Sequence, residues 1–226
     1  LTRMAASGFP LVVWGARLPD QQYVTVGSDN EAGGYAATRH LLSQGCRRIV
    51  FLGDPSAPEV GARLKGYLRA LQEAGVARMP ALELAVRFGG DAACDAIASL
   101  ADTGGQFDGV VACSDVFAIS AMRALAERDI KVPADVAVAG FDDIPFSAFT
   151  TPPLTTVRQD CHAGARLLVE NLLRAIRHES ATTEVIPTEL VVRESSLREQ
   201  HRALPSIRRR RAPAPPRAGT PRSRSG

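Results

Sequence analysis

Polar and aromatic side chains stand at the points where the apolar segments of this sequence end. Asp142 and Asp143 follow the apolar run VAVAGF, and Ser114 with Asp115 follows GVVAC. The full set of residues at such ends is Ser28, Asp29, Asp54, Phe88, Ser114, Asp115, Asp142 and Asp143. Carboxylates accept hydrogen bonds, and an aromatic ring presents an apolar face. Together these groups suit a small ligand that carries hydroxyl or amide groups, such as a sugar or a nucleoside.

Ordinary structural roles are the alternative for several of these residues. Asp29, Asp54 and Asp115 stand where helix N-caps stand, and capping alone would explain each of them. Core packing is the slightly favoured interpretation of Phe88. The pair Asp142–Asp143 is harder to explain in this way, because no clear helix follows it. Adjacent strand residues point to opposite faces, so one acid should face the ligand and the other a backbone or subunit contact.

Signatures of catalysis and of metal binding are missing from the sequence. It contains no G-x-S-x-G, no Walker loop and no G-x-G-x-x-G after a strand. The four histidines have no metal-ligand spacing, and the acid pair has no histidine cluster beside it. The four cysteines are far apart, which suits a reducing compartment and predicts small buried side chains. We therefore expect no enzyme activity, no metal and no cofactor.

The elements that position the polar residues alternate between strand and helix with short connections. The strands are rich in Val and Ile and continuously apolar, which is typical of a parallel sheet covered by helices on both faces. The fold class predicted is therefore α/β, with doubly wound parallel sheets. Predicted strands are residues 10–15, 23–28, 47–53, 81–88, 109–113, 135–141 and 188–194. Predicted helices are residues 31–44, 59–75, 91–102, 116–128 and 161–178.

The segment after the acid pair is predicted to be extended. Pro152 and Pro153 exclude a helix at and just before their positions. Residues 154–157, an apolar Leu-Thr-Thr-Val run, are suited to burial. Such a segment suits a strand that leads out of one α/β layer into another.

The charge of the chain is unevenly distributed. Residues 202–226 hold eight arginines and no acids, which leaves 19 basic against 24 acidic residues in the rest of the chain. This Pro/Arg/Ser-rich tail has too little apolar content to offset its ordering entropy, and we expect it to be disordered. It could attract nucleic acid without sequence preference, but an incidental extension is the favoured interpretation. No apolar run approaches the roughly 18 residues that a membrane span needs.

Several blocks of the sequence resemble the LacI/GalR family of bacterial transcriptional regulators. One block is VGSDNEAGGYAATRHLLSQGCRRIVFLG, in which Cys46 replaces the family's usual histidine. A second block is GARLKGYLRALQEAG. The most diagnostic block is VVACSDVFAISAMRALAERDIKVPADVAVAGFDDIPFSAFTTPPLTTVRQD, and TELVVRESS is similar to the closing strand of the family. The resemblance covers about residues 9–196.

The resemblance implies a periplasmic-binding-protein-like fold of type I. In this fold two α/β subdomains, joined by three crossing strands, close on an effector. The first subdomain is expected to be incomplete in this chain. The implied division is 1–26 for the end of the first subdomain, 27–153 for the second subdomain, 154–184 for a crossover strand and a helix that returns to the first, 185–196 for the final strand of the second, and 197–226 for the tail.

The resemblance also assigns effector-binding residues. Asp142 corresponds to the family's effector-contacting aspartate, Phe88 to the aromatic that stacks on the ligand, and Arg63 to the shared arginine of R-L-x-G. The full set implied is Gly15, Ala57, Glu59, Arg63, Phe88, Ser114, Asp115 and Asp142.

Four of these positions depart from the family pattern. Gly15 stands where many relatives have an aspartate, and Ala57 and Glu59 fall where some members place Arg or Thr ligands. Ser114 stands where asparagine is usual. The departures leave the identity of the effector open.

The resemblance implies the effector-binding and dimerising part of a regulator, with a small sugar-like or nucleoside-like effector as ligand. The helix-turn-helix and hinge helix of the family are not present, so we expect a fragment whose operator DNA contacts lie outside it. A homodimer in the cytoplasm, without membrane contact, is expected. The alternatives are a periplasmic sugar-binding protein that feeds a transporter and, less favoured, an enzyme that acts on sugars.

Overall fold

A computed structural model describes residues 1–88 and 91–198, and most of the predicted tail lies outside the described residues. The strands are β1 (Val12–Trp14), β2 (Val24–Ser28), β3 (Ile49–Leu52), β4 (Glu83–Leu84), β5 (Gly109–Ala112), β6 (Ala137–Asp142), β7 (Thr155–Gln159), β8 (Glu184–Ile186) and β9 (Thr188–Val191). The α-helices are α1 (Thr2–Ala6), α2 (Asn30–Ser43), α3 (Pro58–Glu73), α4 (Ala92–Asp102), α5 (Asp115–Ala126) and α6 (Cys161–Ile176). Short 3-10 helices span Pro80–Leu82, Pro145–Phe149 and Glu194–Ser196.

The larger of two sheets has the strand order β4-β3-β5-β6-β7-β9. All neighbours pair in parallel except β7 and β9, which are antiparallel. Helices cover both faces: on adjacent residues of β6, Gly140 packs against Ala118 of α5 and Phe141 against Gly33 of α2. The strands are buried along most of their length, as their continuous apolar character predicts. We call this sheet and helices α2 to α5 the large lobe.

The smaller sheet contains β1, β2 and β8, all parallel, and α6 packs on it. Trp14 of β1 lies against Gly164 of α6, where an added Cβ would come within 2.3 Å of the indole ring. The solvent face of this region exposes several large apolar side chains, namely Val169, Leu172, Leu173, Ile176 and Val185. We call this sheet and α6 the small lobe.

The chain passes between the lobes three times. The passages are at Asp29 between β2 and α2, at Asp160 between β7 and α6, and at Pro187 between β8 and β9. Asp29 and Asp160 each cap the following helix, because their carboxylates accept from Ala32 N and Ala163 N. The residue boundaries of the predicted subdomains remain a prediction.

Close helix packing in the large lobe depends on two glycines. An added Cβ at Gly34 of α2 would lie 2.2 Å from the Arg63 carbonyl oxygen, and one at Gly66 of α3 would lie 2.1 Å from the Glu31 carbonyl oxygen. Any side chain at either position would push α2 and α3 apart. Because Arg63 belongs to α3, its position over the sheet depends on the close approach of α2 and α3 that Gly34 and Gly66 allow.

Three sequence predictions are wrong in detail. The apolar run at residues 81–88 forms only a two-residue strand, because the edge pairing with Phe51 and Leu52 ends there. A 3-10 helix, Pro145–Phe149, follows the acid pair where no helix was expected. Three of the four cysteines are buried as predicted, but Cys161 is exposed at the start of α6. No helix among the described residues is long and apolar enough to cross a membrane.

Candidate functional site

Asp142 ends β6 at the carboxyl edge of the large sheet, where parallel sheets place their ligands. Its Oδ1 accepts a hydrogen bond of 2.7 Å from Gln159 Nε2 at the end of β7 and lies 3.9 Å from Arg63 Nη1. Burial raises the pKa of Asp142 to about 6, although the nearby Arg63 charge acts in the opposite direction. A carboxylate in this position can accept hydrogen bonds from ligand hydroxyl groups at neutral pH.

Arg63, on α3, is held by two hydrogen bonds and a contact with an aromatic ring. Its Nε donates to Asn30 Oδ1 at 2.8 Å, and its Nη1 donates to the Cys113 carbonyl oxygen. The guanidinium carbon lies 3.6 Å from the centre of the Phe141 ring, a cation–π geometry. Burial lowers the pKa of Arg63, and the charge of Asp142 opposes that shift. Arg63 therefore presents a fixed positive charge beside Asp142.

Asp143 points away from Asp142 and binds two arginines. Its carboxylate accepts from Arg158 of β7 and from Arg193, which follows β9, each at 2.7 Å. Burial alone would raise the pKa of Asp143, but the hydrogen bonds from Arg193 and Arg158 outweigh it and lower the pKa. Asp142 thus contacts Arg63 and Gln159, and Asp143 contacts Arg158 and Arg193. That only one of the two acids faces the ligand stays a prediction.

Phe88 follows the short strand β4 and is exposed. Its ring lies 4.6 Å, centroid to centroid, from Phe117 of α5, and 65% of the residue is accessible to solvent. Core packing therefore does not explain Phe88. One of its faces is supported by Phe117, and the rest is available to a ligand.

Ser114 and Asp115 lie inside the large lobe. The Ser114 hydroxyl caps α5 by accepting from Phe117 N at 3.3 Å. Asp115 is fully buried, and its carboxylate accepts from the Ser147 hydroxyl, the Thr156 hydroxyl and Ile144 N. Burial raises the pKa of Asp115 in spite of these hydrogen bonds. The structure therefore does not bring the Asp115 carboxylate to the ligand side, and its place there is to hold the segment that follows Asp142.

Gly15 and Glu59, two of the departures from the family pattern, meet in the structure. Glu59, in the first turn of α3, accepts a hydrogen bond of 2.9 Å from Ala16 N in the loop after β1. An added Cβ at Gly15 would lie 2.7 Å from the same Glu59 oxygen. Ala57 is the N-cap residue of α3 and has no side-chain group that can cap or bind by hydrogen bond.

A cavity of about 750 Å³ opens beside the acid pair. It lies between the ends of β6 and β7 and the passages at residues 159–162 and 186–189. Asp142 and Asp143 both line it, together with Arg158 and His162. The other members of the implied effector set do not line it, namely Gly15, Ala57, Glu59, Arg63, Phe88, Ser114 and Asp115. Among the described residues there is no cluster of His, Cys, Asp and Glu that could hold a metal ion.

Sequence reasoning missed Asn30 and Gln159. Both are polar side chains that bind the Arg63–Asp142 pair directly. Asn30 directly follows Asp29, the residue that caps α2, and nothing in the sequence sets it apart from an ordinary first helical residue. The register of β7 against β6, which pairs Arg158 with Asp142, could have indicated Gln159, but only after the two strands were known to be neighbours.

Two lobes of parallel α/β structure, joined by three passages and with polar groups where the lobes meet, define the periplasmic-binding-protein-like class. The family model described as a periplasmic binding protein-like domain matches residues 38–196. The chain belongs to this family, and within it to the LacI-type transcriptional regulators, as the following relatives show.

The HTH-type transcriptional regulator CelR of Thermobifida fusca is 36% identical over 196 residues, which cover 84% of this chain and 57% of CelR. The ribose operon repressor of Haemophilus influenzae is 31% identical over 193 residues, which cover 84% of this chain and 58% of the repressor. The chain thus spans less than three-fifths of the length of these curated relatives. The solved complex of CelR with cellobiose superposes with a TM-score of 0.79 at 34% identity, over 84% of this chain and 59% of that one. These relatives are regulators, so the transport-protein alternative is not favoured.

Proposed function

We propose that this chain is the effector-sensing part of a LacI/GalR-type bacterial transcriptional regulator, which acts as a repressor in the cytoplasm. The observation that carries the proposal is Asp142 at the carboxyl edge of β6, with its carboxylate beside Arg63 and Gln159 at the junction of the two lobes. Asp142 and Arg63 offer one acceptor and one donor group that suit neighbouring hydroxyls of a sugar. Phe88, exposed but supported by Phe117, offers an apolar face for a sugar ring.

Relatives support a sugar-like ligand. One solved relative is a complex with cellobiose. Another, a LacI family regulator from Enterococcus faecium with bound ribose, superposes with a TM-score of 0.77 at 26% identity. We propose that the ligand shifts the relative placement of the lobes, and through it the placement of paired DNA-binding segments in a homodimer. We propose no enzymatic activity, because the relatives reported above are transcriptional regulators.

The subdomain division supports this mechanism. We propose that residues 1–26 and 154–184 belong mainly to one subdomain, and residues 27–153 and 185–196 to the other. In support, β1 and β2 lie in the small sheet, and β3 to β6 with β9 lie in the large sheet. Strand β8 (Glu184–Ile186) departs from this division, because it pairs with β2 in the small sheet. Strand β7, at the border, pairs with the larger sheet and leads directly into α6 of the small lobe.

Ligand binding is tested with the chain as it stands. Trp14, the single tryptophan, lies one residue before Gly15 and is partly exposed, so its fluorescence should report binding between the lobes. A panel of mono- and disaccharides that includes cellobiose and ribose should contain a ligand that changes the Trp14 emission and raises the melting temperature. Asp142→Ala should abolish both effects. Normal binding by Asp142→Ala would refute the assignment of this site.

Regulation is tested with a chimera. The part of Thermobifida fusca CelR that precedes the residue matching Leu1 is joined to this chain, and binding to the CelR operator is measured by fluorescence anisotropy. The expected result is operator binding that changes when the sugar is added. Sugar binding without any change in operator affinity would favour the solute-binding alternative over the regulator.

A further inference from the structure

The last described residues of the chain are fastened to the amino edge of the large sheet. Ser195 is fully buried, and its hydroxyl donates to the Val138 carbonyl oxygen at 2.7 Å. Arg198 Nη2 donates to the carbonyl oxygens of Asp108 and Asp135, at 2.6 Å and 3.0 Å. Asp108 directly precedes β5, and Asp135 lies just before β6. The chain therefore leaves the large lobe at a fixed point, on the edge opposite the acid pair.

Two arginines beside this point carry charges that no carboxylate balances. Arg47 and Arg48 lie just before β3 and are exposed, and their backbone N–H groups donate to the carboxylate of Asp108. Their side chains donate to neutral oxygens, namely Gln106 Oε1 and backbone carbonyls. No ion pair among the described residues includes the side chain of Arg47, Arg48 or Arg198. This edge therefore presents positive charge to an anion.

The sequence that follows this edge is strongly cationic. Residues 202–226, which lie outside the described residues, contain eight arginines and no acids, and Arg208 to Arg211 are consecutive. The rest of the chain holds 19 basic and 24 acidic residues. Runs of like charge are typical of interaction tails, and basic ones bind polyanions. Ten peptide steps separate Arg198 from Arg208, which limits the distance between them to about 35 Å. The four consecutive arginines therefore stay within reach of the same anion as Arg47 and Arg48.

Duplex DNA is the polyanion that these features fit. It carries one negative charge per about 1.7 Å of its axis, and arginine binds phosphate through two parallel hydrogen bonds. The acidic remainder of the chain repels a polyanion, so the attraction comes from the arginines at this end of the large lobe. The proposed function, in which the chain belongs to a regulator of transcription, is used only to choose DNA among the polyanions.

We propose that residues 202–226, together with Arg47 and Arg48 at the edge from which they leave, bind duplex DNA without preference for base sequence. Each arginine pairs with a backbone phosphate and releases condensed counterions, and no base edge is read. The contact is separate from the effector site, because it lies at the opposite edge of the large sheet. It gives the regulator a hold on DNA that does not depend on the operator sequence.

The test measures binding of the intact chain to short labelled duplexes by fluorescence anisotropy, between about 50 and 200 mM salt. Two duplexes of unrelated sequence are compared. The tail variant carries Arg208→Gln, Arg209→Gln, Arg210→Gln and Arg211→Gln, and the edge variant carries Arg47→Gln and Arg48→Gln. The matched control replaces four exposed basic residues elsewhere by Gln, namely Arg3, Lys65, Arg174 and Arg177. Circular dichroism checks that every variant folds.

The expected result is a steep dependence of affinity on salt. Each phosphate contact contributes about −0.9 to the slope of the logarithm of the association constant against the logarithm of salt concentration. Eight arginines of residues 202–226 and two of the edge give a slope of about −9. The tail variant should have a slope of about −5.4 and the edge variant about −7.2, whereas the control should keep the slope of the unmodified chain. Both duplexes should bind with the same affinity, within about twofold.

Three results would overturn the proposal, namely no duplex binding at about 50 mM salt, a slope that the tail variant leaves unchanged, or a strong preference for one duplex. An unchanged slope in the edge variant would overturn the part assigned to Arg47 and Arg48. Phosphatidylserine vesicles are measured in the same way. Tighter binding to the vesicles than to the duplex, at equal phosphate concentration, would assign the arginines to a membrane surface and overturn the DNA contact.

The sugar panel keeps this inference separate from the proposed function. The tail variant should bind sugar like the unmodified chain, as measured by Trp14 fluorescence. Failure to bind DNA in a chain that still binds sugar would count against this inference alone. DNA binding in a chain that responds to no sugar would count against the effector-sensing function alone.

Discussion

Replacement of Asp142 by Asn should change the stability of the protein in a pH-dependent manner. Burial raises the pKa of Asp142 from 3.8 in the unfolded chain to about 6 in the folded protein. Between these two values the folded state holds a proton that the unfolded state has lost, so the stability of the unmodified chain falls as pH rises. A difference of about two pKa units corresponds to about 3 kcal/mol. Asp142→Asn carries no such penalty, since its amide does not ionise.

The assay is urea denaturation followed by circular dichroism, on the unmodified chain and on Asp142→Asn, from pH 4 to pH 7.5. The free energy of unfolding of the variant minus that of the unmodified chain should rise by about 2 to 3 kcal/mol as pH rises through this window. A constant offset is also expected, because the variant leaves Arg63 without its carboxylate partner. Only the pH-dependent part of the difference reports the pKa of Asp142.

A second acid provides a control of opposite sign. Asp102 accepts hydrogen bonds from Arg128, and these lower the pKa of Asp102. The ionised form is therefore favoured in the folded state, and its contribution to stability is lost as pH falls. For Asp102→Asn the same difference should decrease as pH rises towards the unfolded pKa of 3.8 and stay nearly constant above about pH 4, so this variant is also measured below pH 4. The reasoning that burial dominates at Asp142 would be refuted if the free energy of unfolding of Asp142→Asn minus that of the unmodified chain did not rise with pH. A constant value, or a decrease of the kind expected for Asp102→Asn, would be such a result.

Four further predictions concern the same region. A sugar that binds ionised Asp142 should bind about tenfold more weakly at pH 5 than at pH 7, as measured by Trp14 fluorescence, and equal affinities would exclude the ionised form as the acceptor. Phe88→Ala should weaken that binding by about 1 to 3 kcal/mol with little loss of stability, because the ring is mostly exposed, and an unchanged dissociation constant would remove Phe88 from the site. Asp115→Ala should reduce the free energy of unfolding in urea by about 3 kcal/mol, because it leaves buried hydroxyl and N–H donors without an acceptor, and a loss below about 1 kcal/mol would contradict its structural role. A thiol reagent should modify Cys161 quickly and the three buried cysteines slowly, and rapid modification of all four would show that the core opens readily.

The architecture could be predicted because its signals are local. Apolar runs of four to seven residues followed by amphipathic helices indicate parallel sheet, and the observed sheets are parallel except for β9. The failure at residues 81–88 has a physical cause. An apolar run predicts that a segment is buried, but it does not predict which strand the segment pairs with. Here only Glu83 and Leu84 form strand pairs with β3. The rest of the run leaves the sheet edge, and this brings Phe88 to Phe117.

The site was predicted only in part, because single positions carry no information about their neighbours in space. Asp142 and Arg63 were assigned separately, and the structure brings them to 3.9 Å. Ser114 and Asp115 are both polar at a strand end, yet capping and burial turn them inward. Gly15 and Glu59 were two unrelated departures in the sequence. In the structure they are in contact, because the Glu59 carboxylate lies where a side chain at position 15 would be.

The backbone at the end of β6 is strained, and hydrogen bonds from neighbouring segments hold it in place. Asp142 and Asp143 both have positive φ, 114° and 54°, which for residues other than glycine costs about 1 to 3 kcal/mol each. Hydrogen bonds from Arg158 and Arg193 to Asp143 hold this backbone in place, and both arginines lie on or just after strands that adjoin the passages between the lobes. Gln159, the last residue of β7, donates to Asp142 itself.

Under the proposed function, in which Asp142 receives the ligand, these contacts explain why a second acid follows it. A lone carboxylate at position 142 would depend on a backbone conformation that is unfavourable by itself. Asp143 supplies the compensating contacts, and it draws them from β7 and from the segment after β9 instead of from its own strand. The position of the Asp142 carboxylate is therefore set by segments that adjoin the passages between the lobes. In the proposed mechanism, movement of the small lobe relative to the large lobe would act on Gln159 and Asp160, and the hydrogen bond from Gln159 links these residues to the Asp142 carboxylate.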